Sequence, residues 1–170
     1  MTVIETRSRR SIRLRSPNLE DGIAIHQLIA SCPPLDLNSV YAYLIQAMHH
    51  APTCVVAEGE NGLAGYLSAY LHPRQPRTLF IWQLAVSSAW RGDGLALAML
   101  RHLVGRGQNL RWLETTITPS NTASLAVFRA LARQLEIGIE PVSELSGSLF
   151  PESGHPPETL YRLGPLTPAA

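Results

Sequence analysis

The order of apolar runs, glycine breaks and amphipathic stretches predicts an α/β fold, a mixed sheet with helices on both faces. Three observations carry this. Leu79, Phe80, Ile81, Trp82, Leu84, Ala85 and Val86 form an apolar run interrupted only by Gln83, and its β-branched and aromatic content favours a buried strand. A Gly-rich break follows, and then Leu95, Ala96, Met99, Leu100, Leu103 and Val104 recur at helical spacing, so a helix lays its apolar face back on the sheet. Trp112 to Thr118, Pro119 and a further amphipathic stretch then repeat the strand-loop-helix layout.

Taken in order, Ile12 to Ser16 alternates and reads as a first strand at a sheet edge, ended by Pro17-Asn18. Glu20 and Asp21 suit the first turn of a helix whose stripe is Ile25, Leu28 and Ile29. Cys32-Pro33-Pro34-Leu35-Asp36 breaks it, because two prolines do not continue a helix. Asn38 or Ser39 caps a second helix with Val40, Tyr43, Leu44, Ala47 and Met48 on one face and Tyr41 off it. Thr53 to Glu58 and Leu63 to Leu71 are strands joined by Gly59-Glu60-Asn61-Gly62, a hairpin signal. His72 to Arg77, with two prolines and two arginines, reads as a loop before the central strand. Gly105-Arg106-Gly107-Gln108 ends the helix after that strand, with Gly105 as its cap. After Pro119, Ser120 or Asn121 caps a helix with the stripe Leu125, Val127, Phe128, Leu131, Ala132 and Leu135. Residues 137–157 are rich in proline, glycine and serine and read as a long loop with at most short strand pieces. Thr159 to Leu163 is the last strand. The order is β-α-α-β-β-β-α-β-α-β.

With 170 residues, 45% of them hydrophobic, and a net charge of +1, the chain suits one globular domain over residues 1–170, with 1–10 and 167–170 as flexible tails. Near-neutral charge argues against nucleic acid as the main partner. Arg7, Arg9, Arg10, Arg13 and Arg15 make a basic arm, read as a solvated tail and one strand face. The polar amino terminus carries no apolar signal region, and no run approaches the ~20 apolar residues of a membrane span. Cys32 and Cys54 are too few for a disulfide framework. The six histidines show no ligand spacing, so no metal is expected. A reduced cytoplasm is the simplest compartment.

The break after the central strand is the most informative motif. Backbone N–H groups at a helix start make an anion site, and glycines let a ligand approach. The dinucleotide fingerprint G-x-G-x-x-G fails, because position 97 is Leu, and no Gly-Lys-Ser/Thr run exists for a P-loop. What fits is R-x-x-G-x-A, Arg91 to Ala96, directly after a strand. This resembles the pyrophosphate loop of the GNAT acyltransferases. The resemblance implies their fold, a mixed and mostly antiparallel sheet, and acetyl-CoA as co-substrate.

Further stretches resemble one branch of that family, the diaminobutyrate acetyltransferases of ectoine biosynthesis. They are Pro34-Leu35-Asp36-Leu37-Asn38-Ser39 with Tyr41 and Tyr43, Thr53 to Glu58, Thr78 to Gln83, Leu113 to Asn121, and Arg162 to Leu166. The resemblance implies transfer of acetyl from acetyl-CoA to the γ-amino group of L-2,4-diaminobutyrate, by direct attack in a ternary complex, in a cytoplasmic homodimer. It binds neither nucleic acid nor membrane on this reading.

Roles follow from this. Gly92, Gly94, Leu95 and Ala96, with Arg91 near the phosphates, suit the pyrophosphate. The strand edge at Leu84 and Val86 suits the pantetheine arm, with a backbone N–H for the oxyanion and a bulge that the resemblance implies. Asn121 and Ser124 are placed to touch the same arm, with helix capping as their plain alternative. A diamino acid needs carboxylates for its ammonium groups. Asp36 and Glu158 are the candidates, Asp36 otherwise a helix cap and Glu158 otherwise a loop acid. Trp82 would wall the pocket or stack on the ammonium, Tyr41 would offer a hydroxyl, and Glu114, Thr115 and His155 are further candidates. Glu158 or Asp36 accepts the proton that the amine must lose, since a free alkylamine has a pKa of about 10.4. Phe128 stands where many relatives carry a proton-donating tyrosine, so the general acid is unassigned. Three other readings stay open: a GNAT enzyme for another small amine, a non-catalytic acetyl-CoA sensor, and a protein acetyltransferase.

Overall fold

The chain begins with an antiparallel hairpin, and this already departs from expectation. In the computed structural model, which describes residues 2–106, 109–150 and 154–166, β1 (Thr2–Glu5) pairs with β2 (Ser11–Arg15), Val3 opposite Arg13. Residues 2–5 are therefore a strand and not part of a tail, and the strand read at Ile12 to Ser16 is not the edge. Four mostly exposed residues next to an arginine-rich stretch gave no apolar alternation to find. After β2 come α1 (Gly22–Ala30), α2 (Val40–His49), β3 (Val55–Gly59), β4 (Gly62–His72), β5 (Gln75–Val86), α3 (Leu95–Val104), β6 (Trp112–Ile117), α4 (Thr122–Gln134), β7 (Gly138–Leu145) and β8 (Glu158–Gly164). The chain divides into two compact units, Met1–Tyr70 with Ile81–Arg106, and Leu71–Phe80 with Gly107–Ala170.

In the first unit, β1, β2, β3 and β4 pair in succession, all antiparallel, with Leu14 opposite Ala57 and Val56 opposite Tyr66. The second half of β5 joins β4, Gln83 N–H donating to Ser68 Oγ and Ser87 N–H to the Ala64 carbonyl. The helices α1 and α2 cover one face, where Ile25, Leu28, Ile29, Cys32 and Tyr43 pack with Cys54, Val56, Tyr66 and Ala85. Side chains alternate along a strand, so Gly65 turns to the other face, where a Cβ would stand 2.8 Å from Met99 Cε of α3. Helices thus lie on both faces, as expected.

Local chemistry explains the helix starts. Asn18 and Asp21 form a reciprocal capping box ahead of α1. A Cβ at Gly22 would sit 2.6 Å from Leu44 Cδ2, so glycine lets α2 approach. Ser39 Oγ accepts from Ala42 N–H and starts α2. One stripe residue differs: Met48 is 54% exposed, while Gln46 turns inward and accepts from the Tyr66 hydroxyl at 2.7 Å. The hydrogen bond compensates burial of the amide, which apolar spacing alone does not register.

In the second unit, the first half of β5 pairs in parallel with β6, Leu79 opposite Leu113. Then β6 pairs antiparallel with β8, and β8 with β7, in the order β5-β6-β8-β7. Phe128, Leu131 and Ala132 of α4 are buried. The segment His72 to Arg77, expected as a loop, is a tight turn at Pro73-Arg74 between β4 and β5. Pro76 lies near the start of β5, where a missing N–H is tolerated. The expected loop over 137–157 contains the eight-residue β7. Almost every β7 side chain is exposed, Pro141 lies within it, and its register shifts between Pro141 and Ser143. No period-2 pattern therefore marks it, as suits an outermost strand. Residues 151–153 of the expected loop, Gly107 and Gln108 of the expected helix end, and the expected tail over 167–170 lie outside the described residues. Among the described residues, no helix is long and apolar enough to cross a membrane.

Candidate active site

The loop from β5 to α3 is shaped by two left-handed glycines. Gly92 and Gly94 both have φ of +80°, a conformation that costs a glycine little and other residues more. A Cβ at Gly92 would meet no atom within 4 Å, so the loop is open on that side. Gly94 is the N-cap of α3 and offers no side-chain acceptor to the first-turn N–H groups. N–H groups at a helix start with no side-chain cap are suited to an anion. Leu95 is buried and anchors the helix start, and Ala96 is half-buried beside it.

Asp93, between the glycines, turns inward and is 7% exposed. It accepts from Ser8 N–H at 3.2 Å and from Ser8 Oγ, and it forms an ion pair with Arg10. The Ser8 hydroxyl first, and Arg10 next, hold its carboxyl below the usual aspartate range. Arg10 also donates to the Ala89 carbonyl at 2.9 Å and lies over the Trp90 ring, 3.6 Å from its centroid. The basic arm is thus not simply solvated. Arg10 clamps this loop, and Arg15 makes two hydrogen bonds to Asp21, at 2.7 and 2.8 Å. Arg91 is exposed, and its Nε donates back to the Val86 carbonyl at 3.3 Å. Cys32 Sγ reaches the same carbonyl at 3.5 Å, so this acceptor on the predicted pantetheine edge is already engaged.

Along β5, burial alternates. Ile81, Gln83 and Ala85 are buried, whereas Leu84 and Val86 are half-buried and Trp82 is 48% exposed. Trp82, Leu84 and Val86 therefore share one face. Gln83, the polar interruption of the apolar run, is on the other. Its Nε2 donates to the main-chain carbonyl of Asp36 at 2.7 Å, and the opposite assignment of the amide would set two acceptors against each other. Its Oε1 is buried and has no hydrogen-bond partner among the described residues. A lone glutamine in an apolar strand was the signal available in the sequence. The same segment is held again where Asn38 N–H donates to the buried Tyr43 hydroxyl at 3.2 Å. The Asp36 side chain is exposed, as is Tyr41, at 69%, in the first turn of α2.

In the second unit, Glu114 is 4% exposed, and its Oε1 accepts from Arg162 Nε at 2.8 Å and Nη2 at 2.6 Å. This carboxylate, a candidate for a substrate amine, already has a cation. Thr115, next on β6, is buried opposite Tyr161 of β8. Asn121 Oδ1 accepts from Ser124 N–H at 3.1 Å, so Asn121 caps α4, and both residues are half-buried. Glu158 opens β8 opposite Leu145, half-buried, with no cation in ion-pair reach among the described residues. His155 stacks on Phe150, ring centroids 3.9 Å apart, and its Nδ1 lies 2.7 Å from the Pro156 carbonyl. Phe128 is 2% exposed and has no proton to give. The first unit thus gathers Asp36, Gln83 and the Gly92–Gly94 loop around β5. The second places Glu114, Thr115 and Glu158 on neighbouring strands, with Asn121 and Ser124 at the start of α4.

Comparison with known proteins accords with these features. Residues 23–132 match the Acetyltransferase (GNAT) family. The L-2,4-diaminobutyric acid acetyltransferase of Bordetella parapertussis is 45% identical over 170 residues, 98% of this chain and 91% of that protein. That of Streptomyces anulatus is 44% identical, over 91% of this chain and 90% of that protein. Among solved structures, the diaminobutyrate acetyltransferase EctA from Paenibacillus lautus, in complex with its substrate L-2,4-diaminobutyric acid and coenzyme A, superposes with a TM-score of 0.89. It is 35% identical, and the match covers 95% of this chain and 99% of that one. The chain belongs to the L-2,4-diaminobutyric acid acetyltransferases of the GNAT family.

Proposed function

We propose that this chain transfers the acetyl group of acetyl-CoA to the γ-amino group of L-2,4-diaminobutyrate, giving Nγ-acetyl-L-2,4-diaminobutyrate, the precursor of ectoine. The observation that carries the reading is near-full-length identity of 45% with an enzyme of that name. The loop with two left-handed glycines at the start of α3, which suits a pyrophosphate, supports it independently. The residue matches to both units, within 23–132, support one catalytic domain.

On this reading, the N–H groups from Gly92 to Ala96 hold the phosphates and Arg91 adds charge. Leu84 and Val86 line the pantetheine arm, and a backbone N–H there receives the negative charge that develops on the thioester oxygen. Asn121 and Ser124 touch the same arm. The candidates for the diamino acid are Asp36, Tyr41 and Trp82 in the first unit, and Glu158 and Thr115 in the second. Glu114 remains a further candidate, with its Oε1 already shared with Arg162. The amine nitrogen attacks the thioester carbon, the C–N bond forms, the C–S bond breaks, and the nitrogen loses a proton. Glu158, half-buried and without a cation partner among the described residues, or the exposed Asp36, takes that proton directly or through water. A carboxylate that only held the ammonium would raise the amine pKa and oppose attack. With Phe128 at the usual tyrosine position, the thiolate leaves unaided or with a proton from water, as a thiol pKa of about 8.5 allows.

The protein is further read as a cytoplasmic homodimer without a metal. Val142 and Leu145, exposed on β7, fit an apolar contact with a second copy, and sedimentation at micromolar concentration tests it. Function is tested by CoA release from acetyl-CoA with L-2,4-diaminobutyrate, ornithine, lysine and putrescine. A strong preference for diaminobutyrate is expected. Acetyl-CoA binding without release from any amine would leave a sensor instead.

A further inference from the structure

The turn between β1 and β2 packs directly on the β5–α3 loop. Arg7 N–H donates to the Asp93 carbonyl at 3.4 Å, and Ser8 and Arg10 grip the Asp93 carboxylate. The turn is closed on itself, Thr6 N–H to the Arg10 carbonyl at 3.0 Å and Arg9 N–H to the Thr6 carbonyl at 2.9 Å. This fastening brings one cation to the start of α3. A Cβ at Gly94 would stand 3.5 Å from Arg7 Nε and 4.0 Å from Arg7 Cζ. Arg7 is exposed, and no carboxylate lies in ion-pair reach of it among the described residues. Arg10, by contrast, is used up on Asp93, Ala89 and Trp90.

We propose that the β1–β2 turn is a working wall of the acetyl-CoA site: Asp93 fastens it to the loop as a positioning residue, and Arg7 supplies a cation to the pyrophosphate. This rests on the acetyl-CoA reading above. A guanidinium beside helix N–H groups adds charge-assisted hydrogen bonds to phosphate oxygens that the short loop by itself lacks. It also explains why Asp93, an acid in an anion-binding loop, does no harm. Its carboxylate is buried and paired with Arg10.

The test measures KM for acetyl-CoA and for diaminobutyrate, and Kd for CoA and for 3′-dephospho-CoA. The proteins are wild type, Arg7→Ala, Arg7→Lys and, as control, the exposed Arg133→Ala at the end of α4, each checked by thermal melting. Arg7→Ala is expected to raise KM for acetyl-CoA and both Kd values about five- to tenfold, with kcat and the diaminobutyrate KM unchanged. The deficit shrinks at high salt, Arg7→Lys recovers most of it, and Arg133→Ala matches wild type. Asp93→Asn weakens acetyl-CoA in the wild-type background and has a smaller effect once Arg7 is alanine. An Arg7→Ala protein that binds both ligands like wild type overturns the proposal. So does a deficit seen with CoA but not with 3′-dephospho-CoA, which would put Arg7 on the 3′-phosphate. Wild-type protein that binds no CoA at all would instead overturn the acetyl-CoA reading.

Discussion

Gln83 Nε2 reaches across 2.7 Å to the main-chain carbonyl of Asp36, and so ties the segment after Pro33-Pro34 to the central strand. The bond is partly buried and fixes where the Asp36 carboxylate starts from, although that carboxylate is itself exposed. Replacing Gln83 with Leu keeps the apolar run and removes the tie. Loss of one such bond amounts to about 1–2 kcal/mol. Gln83→Leu is expected to raise KM for diaminobutyrate roughly tenfold with little change in KM for acetyl-CoA, as read from steady-state kinetics. Equal effects on both substrates would show a general loosening of the strand.

Glu158→Gln separates holding from proton transfer. If Glu158 takes the proton, kcat falls about a hundredfold or more and the pH dependence of kcat/KM flattens. If only KM rises while kcat and its pH profile stay as they were, Glu158 merely holds the ammonium.

How far these residues were legible from the sequence depends on the kind of signal each gives. The β5–loop–α3 unit was readable, because a continuous apolar strand, two glycines and a helical stripe leave a pattern in the order of residues. Asp93 and Arg10 were not, because a pair 83 positions apart leaves no periodic trace. The basic arm looked like solvated charge, and only three-dimensional pairing shows Arg10 and Arg15 to be ion-pair partners. Similarly, β7 was hidden because exposed, proline-containing strands lack alternation. Glu114 was found as a candidate by its place on β6, but its use by Arg162 became visible only through the β6–β8 register, which sets the two residues opposite each other.

The Arg15–Asp21 pair makes stability depend on acid. Burial works to raise the Asp21 pKa, but the hydrogen bonds from Arg15, with one from the Asn18 N–H, outweigh it and hold the folded-state value below the ordinary 3.8. A carboxylate with a depressed folded pKa stabilises fully above its unfolded value and loses that contribution as pH falls through the folded one. Asp21→Asn is therefore expected to cost about 1–2 kcal/mol at pH 7. The gap to wild type closes as denaturation is repeated at pH values progressively below 3.8. A gap that stays constant into strong acid would contradict this.

Gly164 ends β8 with φ of +140°, where a Cβ would stand 2.7 Å from the Arg111 carbonyl oxygen and 2.6 Å from Trp112 Cε3. Backbone oxygen does not move aside easily, so both conformation and space oppose a side chain. Gly164→Ala is expected to lower stability by about 2 kcal/mol or more in urea unfolding. By comparison Gly92→Ala, with open space around it, meets only the strain of its φ of +80° and costs about 1 kcal/mol.

The central claim is that the γ nitrogen of L-2,4-diaminobutyrate is the acceptor. The most direct measurement is NMR of the product formed from acetyl-CoA and L-2,4-diaminobutyrate, with the acetyl carbonyl correlated to the neighbouring carbon-bound protons. Correlation to the γ-methylene protons alone is the predicted result. Correlation to the α proton, a mixture of the two, or no acetylated product would contradict it.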